Sequence, residues 1–422
     1  MSFEEFVASR HAAGQLVVQP RMGFADPVVM RAGLAATKNA AATTVGTVTL
    51  DSYTRVCDTD SVAHALAHGI ALNGYPIVNH PAEVTRAMLD GLEGPDFPVQ
   101  VRHGSARPAD IFRAMLAAGL HATEGGPVSY CLPYSRTPLD ESVRNWSACC
   151  ELLADAELPG GRAHLETFGG CMMGQLCPPS ELVALSALEA LFFYRKGLRS
   201  ISVSYAQQTN LRQDQEAVAA LRRLCTELLP GASWHVVIYA YMGLFPRTPE
   251  GSLSLLGKAA ELALSTGSER LIVKTVAEAH RIPTVAENVQ ALEHAGAVRA
   301  TEKVTVEADN QVYREAYALV DAVLNSHEDL GRAIVVAFKR GLLDVPFCLH
   351  PDNAGQARSY LDPAGRLCWS DLGSLPLRRV VERGHGGAIT SSTLMSALSY
   401  VQHTHDAQAL EQPMTAIGGD SR

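Results

Sequence analysis

From Leu16 to Lys274 the chain alternates short apolar runs with longer stretches whose apolar residues recur at helical spacing. Strands are predicted at Leu16–Pro20, Ala41–Leu50, Phe97–Val101, Ala163–Phe168, Ser200–Tyr205, Trp234–Tyr241 and Arg270–Lys274. Helical patterns fill the intervals, at 26–37, 59–72, 81–92, 108–119, 138–157, 178–196, 211–228 and 252–266, after a lead-in over 1–14. Parallel strands joined by helical crossovers give a sheet buried on both faces, and eight such units close into an α/β (β/α)8 barrel. Two weaker runs, 77–79 and 121–123, bring the strand candidates to nine for eight places. One of the two is expected to lie outside the barrel wall.

From residue 285 the alternation stops. Helical patterns at 285–296, 308–326 and 328–341 precede a tail rich in Pro, Gly and Asp. The expected organisation is a TIM barrel over 1–284, a C-terminal helical and irregular extension over 285–404 packed on it, and a disordered tail over 405–422. A chain of 422 residues with 47% apolar content can bury a core of this size. Its formal charge of −9 argues against nucleic-acid or membrane-surface binding, and no apolar run reaches the roughly 20 residues of a membrane span. The start, Met-Ser-Phe-Glu-Glu, has no signal-peptide character, and the nine Cys read as reduced thiols, so a soluble cytoplasmic protein is expected.

Phosphate-loop and zinc motifs are absent, Gly384-His385-Gly386-Gly387 follows no strand, and no metal ligands are proposed. The residues that stand out are Arg21, Arg55 and Arg102, each just after a predicted strand. A single strand-end arginine is ordinarily a surface ion pair worth about 0–1 kcal/mol. In a parallel barrel, however, the strand ends converge on one mouth. Three guanidiniums facing one pocket repel each other unless an anion occupies it, and their planar forks match carboxylates. Glu124, at the tip of another unit, could balance that charge or accept a hydrogen bond from an ammonium group. Tyr130 and Tyr134 stand beside it, as packing aromatics or as hydroxyl donors. Together these residues describe a site for a small amino dicarboxylate.

The blocks Gln19-Pro20-Arg21-x-Gly23, Tyr53-Thr54-Arg55, Asn73-Gly74, Arg102-His103-Gly104, Glu124-Gly125-Gly126 and Ser129-Tyr130-x-x-Pro133-Tyr134 carry a resemblance. Pro178-Pro179-Ser180, Met242-Gly243-x-Phe245-Pro246, Ile272-Val273-Lys274-Thr275 with Glu278, Asp344-x-Pro346-Phe347 and Asn353-Ala354-Gly355 continue it in order. In these blocks the chain resembles the large (epsilon) subunit of glutamate mutase, also called methylaspartate mutase, from about residue 12 to residue 380. The resemblance implies a substrate claw at Arg21, Arg55 and Arg102, an ammonium partner and catalytic base at Glu124, and further substrate contacts at Tyr130 and Tyr134. It places contacts to the adenosyl group of adenosylcobalamin on Gly23, Asn73, Lys274 and Glu278. The implied reaction is the radical interconversion of L-glutamate and (2S,3S)-3-methylaspartate.

The chain lacks Asp-x-His-x-x-Gly, through which many cobalamin proteins ligate cobalt. In the family this motif lies on a small (sigma) subunit, so that subunit is the implied partner, with two copies of this chain in a heterotetramer. The chain departs from the family where Phe168-Gly169-Gly170-Cys171-Met172-Met173-Gly174 stands for Phe-Gly-Pro-Leu-Thr-Gly, and at Cys131 and Gln207-Gln208-Thr209. These changes keep open a paralogue acting on a related amino dicarboxylate. A non-catalytic dicarboxylate-binding partner of a cobalamin subunit is the alternative from another class.

Overall fold

The computed structural model describes residues 1–156, 161–172, 174–299, 304–381 and 390–411. Eight parallel strands build the barrel: β1 (Val17–Gln19), β2 (Gly46–Thr49), β3 (Val99–Arg102), β4 (Ala122–Glu124), β5 (His164–Glu166), β6 (Ser200–Ala206), β7 (Ser233–Tyr239) and β8 (Arg270–Ile272). β8 pairs with β1, and Val18 bridges to Thr44 beside β2, which closes the ring. Of the two competing runs, 121–123 belongs to the wall as β4. The run at 77–79 lies outside it, where Tyr75 bridges to Leu50 just beyond β2.

The helices are α1 (Phe3–Ala12), α2 (Pro27–Lys38), α3 (Ser52–Arg55), α4 (Thr59–His68), α5 (Ala82–Leu89), α6 (Ala109–Ala117), α7 (Leu139–Ala154), α8 (Pro179–Arg195), α9 (Leu211–Leu228), α10 (Pro249–Ser265), α11 (Val285–Ala297), α12 (Gln311–Leu324), α13 (Leu330–Arg340) and α14 (Ser391–Glu411). α11 begins with a capping box at Thr284 and Glu287 and packs against α10, α2 and β1. It therefore belongs to the outer ring of the barrel, and the expected boundary at 284 cuts that ring one helix short. α12 and α13 lie over α8, α9 and α7. Covered on both sides, α8 is buried along nearly its whole length, which is why Leu182 to Phe193 is apolar apart from the buried Ser186 and Glu189.

The tail holds more order than expected. β9 (Arg358–Leu361) and β10 (Leu367–Asp371) form an antiparallel hairpin, and α14 runs through residues 405–411. Residues 405–411 are thus helical, a correction to the disordered tail, while 412–422 lie outside the described residues. Gly384-His385-Gly386-Gly387 and Met173 lie outside them as well. Among the described residues no helix is long and apolar enough to cross a membrane.

The barrel interior is unusually polar. Gln19, Thr47, Gln100, Glu166, Ser202 and Arg270 point inward from six strands and are fully or almost fully buried. Gln19 Nε2 donates to Thr47 Oγ1 at 2.9 Å and to Gln100 Oε1 at 2.7 Å. Arg270 pairs with Glu166 and donates to Ser202 Oγ at 3.0 Å. Below this column α1 stops the barrel floor: Phe3 stacks on His164, and His235 Nδ1 lies 2.7 Å from Glu4 Oε2. Arg270 Nε donates to His235 Nε2 at 3.3 Å, so Nδ1 carries the proton that Glu4 accepts.

Candidate active site

The mouth is assembled from the ends of the strands. Arg102 is the last residue of β3 and Glu124 the last of β4. Arg102 Nη2 meets Glu124 Oε2 at 2.9 Å, and both side chains are almost completely buried. Tyr130 donates its hydroxyl proton to Glu124 Oε1. Gly125 makes this fold-back possible, since at φ +126° it turns the chain where a Cβ would strike the Trp146 and Tyr130 rings. From α8, Glu189 accepts hydrogen bonds from the backbone of Ser129 at 2.9 Å and of Gly169 at 2.8 Å. One buried carboxylate thus ties the loops after β4 and β5 together. Burial pushes it up to about 7 against those hydrogen bonds.

Arg55 arrives by a different route. Asp51 caps α3 by accepting from Tyr53 N and Thr54 N, both at 2.9 Å, and this single turn carries Arg55 back over the mouth. Its stem lies against Gly104, which holds φ +94°. Arg55 Nε is buried without a hydrogen-bond partner among the described residues. A buried, unpaired guanidinium N–H is costly alone and becomes a ready donor to an incoming anion. Arg21 and Arg55 both act on the Tyr134 phenol: burial raises it, and the two cations work to lower it. Tyr134 in turn packs edge-on against Tyr130, ring centroids 6.1 Å apart. The three arginines, Glu124 and both tyrosines therefore occupy one region.

Lys274, just beyond β8, is buried; its ammonium lies 3.5 Å from Glu278 and 5.3 Å from the Phe245 ring centroid. Burial draws it down to about 8, Glu278 resists, and Arg21 adds to the depression. Gly23 and Asn73 have visible structural duties. A Cβ on Gly23 would sit 2.0 Å from Thr49 O, so this glycine lets the chain after β1 cross the end of β2. Asn73 Oδ1 accepts from Ser52 N at 2.9 Å and steadies the start of α3, and the residue is otherwise exposed. Among the described residues its amide nitrogen has no acceptor.

Two groups escape the sequence reading. The hydroxyl of Tyr239, the last residue of β7, lies within hydrogen-bond reach of Glu124 Oε2, at 2.8 Å, and of Glu166, and accepts from Arg102 Nη1 at 3.1 Å. Burial works to raise Glu166, but Arg270 and Arg102 hold it below the usual carboxylate range. Glu124 goes the other way: burial raises it, Arg102 opposes, and the Glu166 charge adds to the rise. A lone Glu in the run His164-Leu165-Glu166 and a Tyr at the end of an apolar strand were the available signals.

The departures from the family pattern are connected. Gln208 Nε2 donates to the carbonyls of Gly174 and Cys177, and Gln208 Oε1 accepts from Tyr205 Oη at 3.0 Å. Gln208 therefore holds the end of the altered loop after β5, while Gln207 and Thr209 bond elsewhere, to Leu255 and Tyr241 and to Gly365. Cys171 in that loop is buried close enough to feel Glu166, Arg102 and Glu124. Cys131, buried in the segment after β4, has a thiol that donates to Thr137 O at 3.1 Å, and burial raises it to about 11.

A cleft of about 830 Å³ opens beside the claw, between Arg55, Tyr134 and residues 347–350 of the extension. Around the mouth, Val28, Tyr53, Val56, Leu244, Ile282 and Leu349 are exposed, Leu349 by 88%. They come from the first turn of α2, from α3 and the residue after it, from the segments after β7 and β8, and from the extension.

The family described as Methylaspartate mutase E chain (MutE) matches residues 1–399. The glutamate mutase epsilon subunit of Yersinia enterocolitica serotype O:8 / biotype 1B is 32% identical over 359 residues, which cover 79% of this chain and 73% of that protein. The epsilon subunit of Escherichia coli O157:H7 is 31% identical, covering 78% and 72%. That of Halobacterium salinarum is 32% identical, covering 80% and 73%.

Proposed function

Because the chain belongs to the methylaspartate mutase E chain family, the glutamate mutase epsilon subunits, we propose that it is the catalytic component of a mutase interconverting L-glutamate and (2S,3S)-3-methylaspartate. The observation that carries this reading is the convergence of Arg21, Arg55 and Arg102 on the buried Glu124 at one barrel mouth. In this reading the guanidiniums grip the two substrate carboxylates, the unpaired Arg55 Nε finding its acceptor there. Glu124 receives the ammonium group, and the Tyr130 and Tyr134 hydroxyls orient it. The polar column and the α1 stop keep water from entering below, which a radical rearrangement of a fragmented substrate requires.

The residues fit an adenosyl group at the mouth: among the described residues the Lys274 ammonium has one charged partner, Glu278, and the Asn73 amide nitrogen has no acceptor. These two with Glu278 and Gly23 would hold it, and adenosylcobalamin when bound supplies the organic radical that initiates the rearrangement. Cobalt ligation falls to a small subunit, for which the apolar rim offers a seat. The test mixes the purified chain with a small cobalamin-binding subunit, adenosylcobalamin and L-glutamate. Product in the complete mixture alone is expected. Turnover of a related amino dicarboxylate, with none of glutamate, would move the reading to a divergent mutase, and no turnover with any would remove it.

A further inference from the structure

The proton count around Tyr239 leads to a property of the empty site. The Tyr239 oxygen has three polar neighbours: Arg102 Nη1 at 3.1 Å, Glu124 Oε2 at 2.8 Å, and Glu166 Oε1. A phenol brings one proton and two lone pairs. Arg102 fills one lone pair, and the proton serves one carboxylate. The second carboxylate then faces the phenol oxygen lone pair to lone pair, unless it carries a proton of its own.

Glu166 is the carboxylate that stays ionised. Its Oε2 pairs with Arg270 and receives Ser202 Oγ at 3.0 Å and Gln100 Nε2 at 3.3 Å. Glu124 has Arg102 and Tyr130 as donors, and its Oε2 faces Tyr239. The other groups around it do not supply a base. His103, beside Arg102, is drawn down to about 3 by burial and by that cation, and the Cys171 thiol is raised by burial. Tyr134 is likewise raised.

We infer that Tyr239 is a positioning residue that holds Glu124 protonated in the empty site, its O–H directed at the Tyr239 oxygen, and that an arriving ammonium group displaces this proton. On arrival the Glu124 O–H bond breaks, the proton passes to solvent, and the carboxylate pairs with the ammonium. The release step rests on the substrate reading above; the stored proton does not. The two carboxylates thereby divide their roles, one ionised and structural, the other neutral until loaded.

Infrared difference spectra of the full chain without ligand test the stored proton. Wild type minus Tyr239→Phe should contain the carbonyl stretch of a buried carboxylic acid, because Glu124 then loses the acceptor of its proton while keeping the donors that favour its anion. Glu124→Gln must remove the same band, and buried acids elsewhere, such as Glu181, cancel in the difference. Circular dichroism checks that both variants fold. No band in either difference overturns the inference. Calorimetric titration with L-glutamate, in buffers of different ionisation heat, should then show up to one proton released per ligand in wild type and markedly less in Tyr239→Phe. Equal release in both would refute the positioning role. Failure of glutamate to bind, with the band present, would uphold the stored proton and discard glutamate as the ligand.

Discussion

Replacing Arg102 by Lys isolates the fork from the charge. Arg102 spreads two nitrogens between Glu124 at 2.9 Å and Tyr239 at 3.1 Å, and its guanidinium lies 5.1 Å from the Tyr239 ring centroid. A lysine ammonium restores the cation but cannot face both partners and a substrate carboxylate at once. A hydrogen bond to a charged group is worth about 1.5–3 kcal/mol, so losing one such bond to substrate weakens binding roughly ten- to a hundredfold. The fold loses the Tyr239 contact and keeps the charge, a destabilisation of about 1–3 kcal/mol. Titration calorimetry of the complex with L-glutamate and urea unfolding of the chain measure the two effects separately. Affinity within threefold of wild type, with the stability loss observed, would show that Arg102 holds the protein together and does not grip the ligand.

Two further substitutions follow from buried geometry. Glu181 in α8 lies beside Asp344 with both carboxyl oxygens unpartnered among the described residues, and burial together with that neighbour pushes it up to about 8. This lies above the unfolded value of about 4.3, so its contribution to stability is complete below that pH and is lost as pH rises through about 8. Urea unfolding from pH 5 to 8 should show wild type losing stability relative to Glu181→Gln, by on the order of 1.4 kcal/mol per pH unit; parallel curves would contradict the assignment. Gly104→Ala places a methyl 2.8 Å from Arg55 Cδ at φ +94°, which should cost about 1–2 kcal/mol and lower ligand affinity by moving Arg55. If stability falls and affinity does not, Arg55 lies outside the binding site.

Periodicity made the barrel legible, because each apolar run had to be a strand buried on both faces and each amphipathic stretch a helix with one face to cover. It failed where packing replaces periodicity. α14 presents no consistent apolar face, with Val401 as its buried residue, and is seated by the small cluster of Tyr241, Phe245 and Leu255. The arginines and Glu124 stood out in the sequence because residues just after the strands of a parallel barrel converge on one mouth. Tyr239 and Glu166 did not. Inside a closed parallel barrel an inward residue and an outward one sit in runs of the same composition, and which of them meets Glu124 is settled by strand pairing across the ring. For Asn73 and Gly23, motif position pointed to ligand contacts, while hydrogen bonding and close backbone approach supply a second reason for the same residues.

The polar column inside the barrel bears on how such a protein can change over generations. An oily interior tolerates drift, since one aliphatic side chain can grow as its neighbour shrinks. Here Gln19, Gln100, Glu166, Ser202 and Arg270 each complete another's hydrogen bonding, so any single replacement strands a charge or an amide where no solvent can reach it. Substitution costs less in the loops, and there a change at Gln208 would release the two carbonyls it holds after β5. New substrates would be explored at the rim, over a foundation that permits almost no revision.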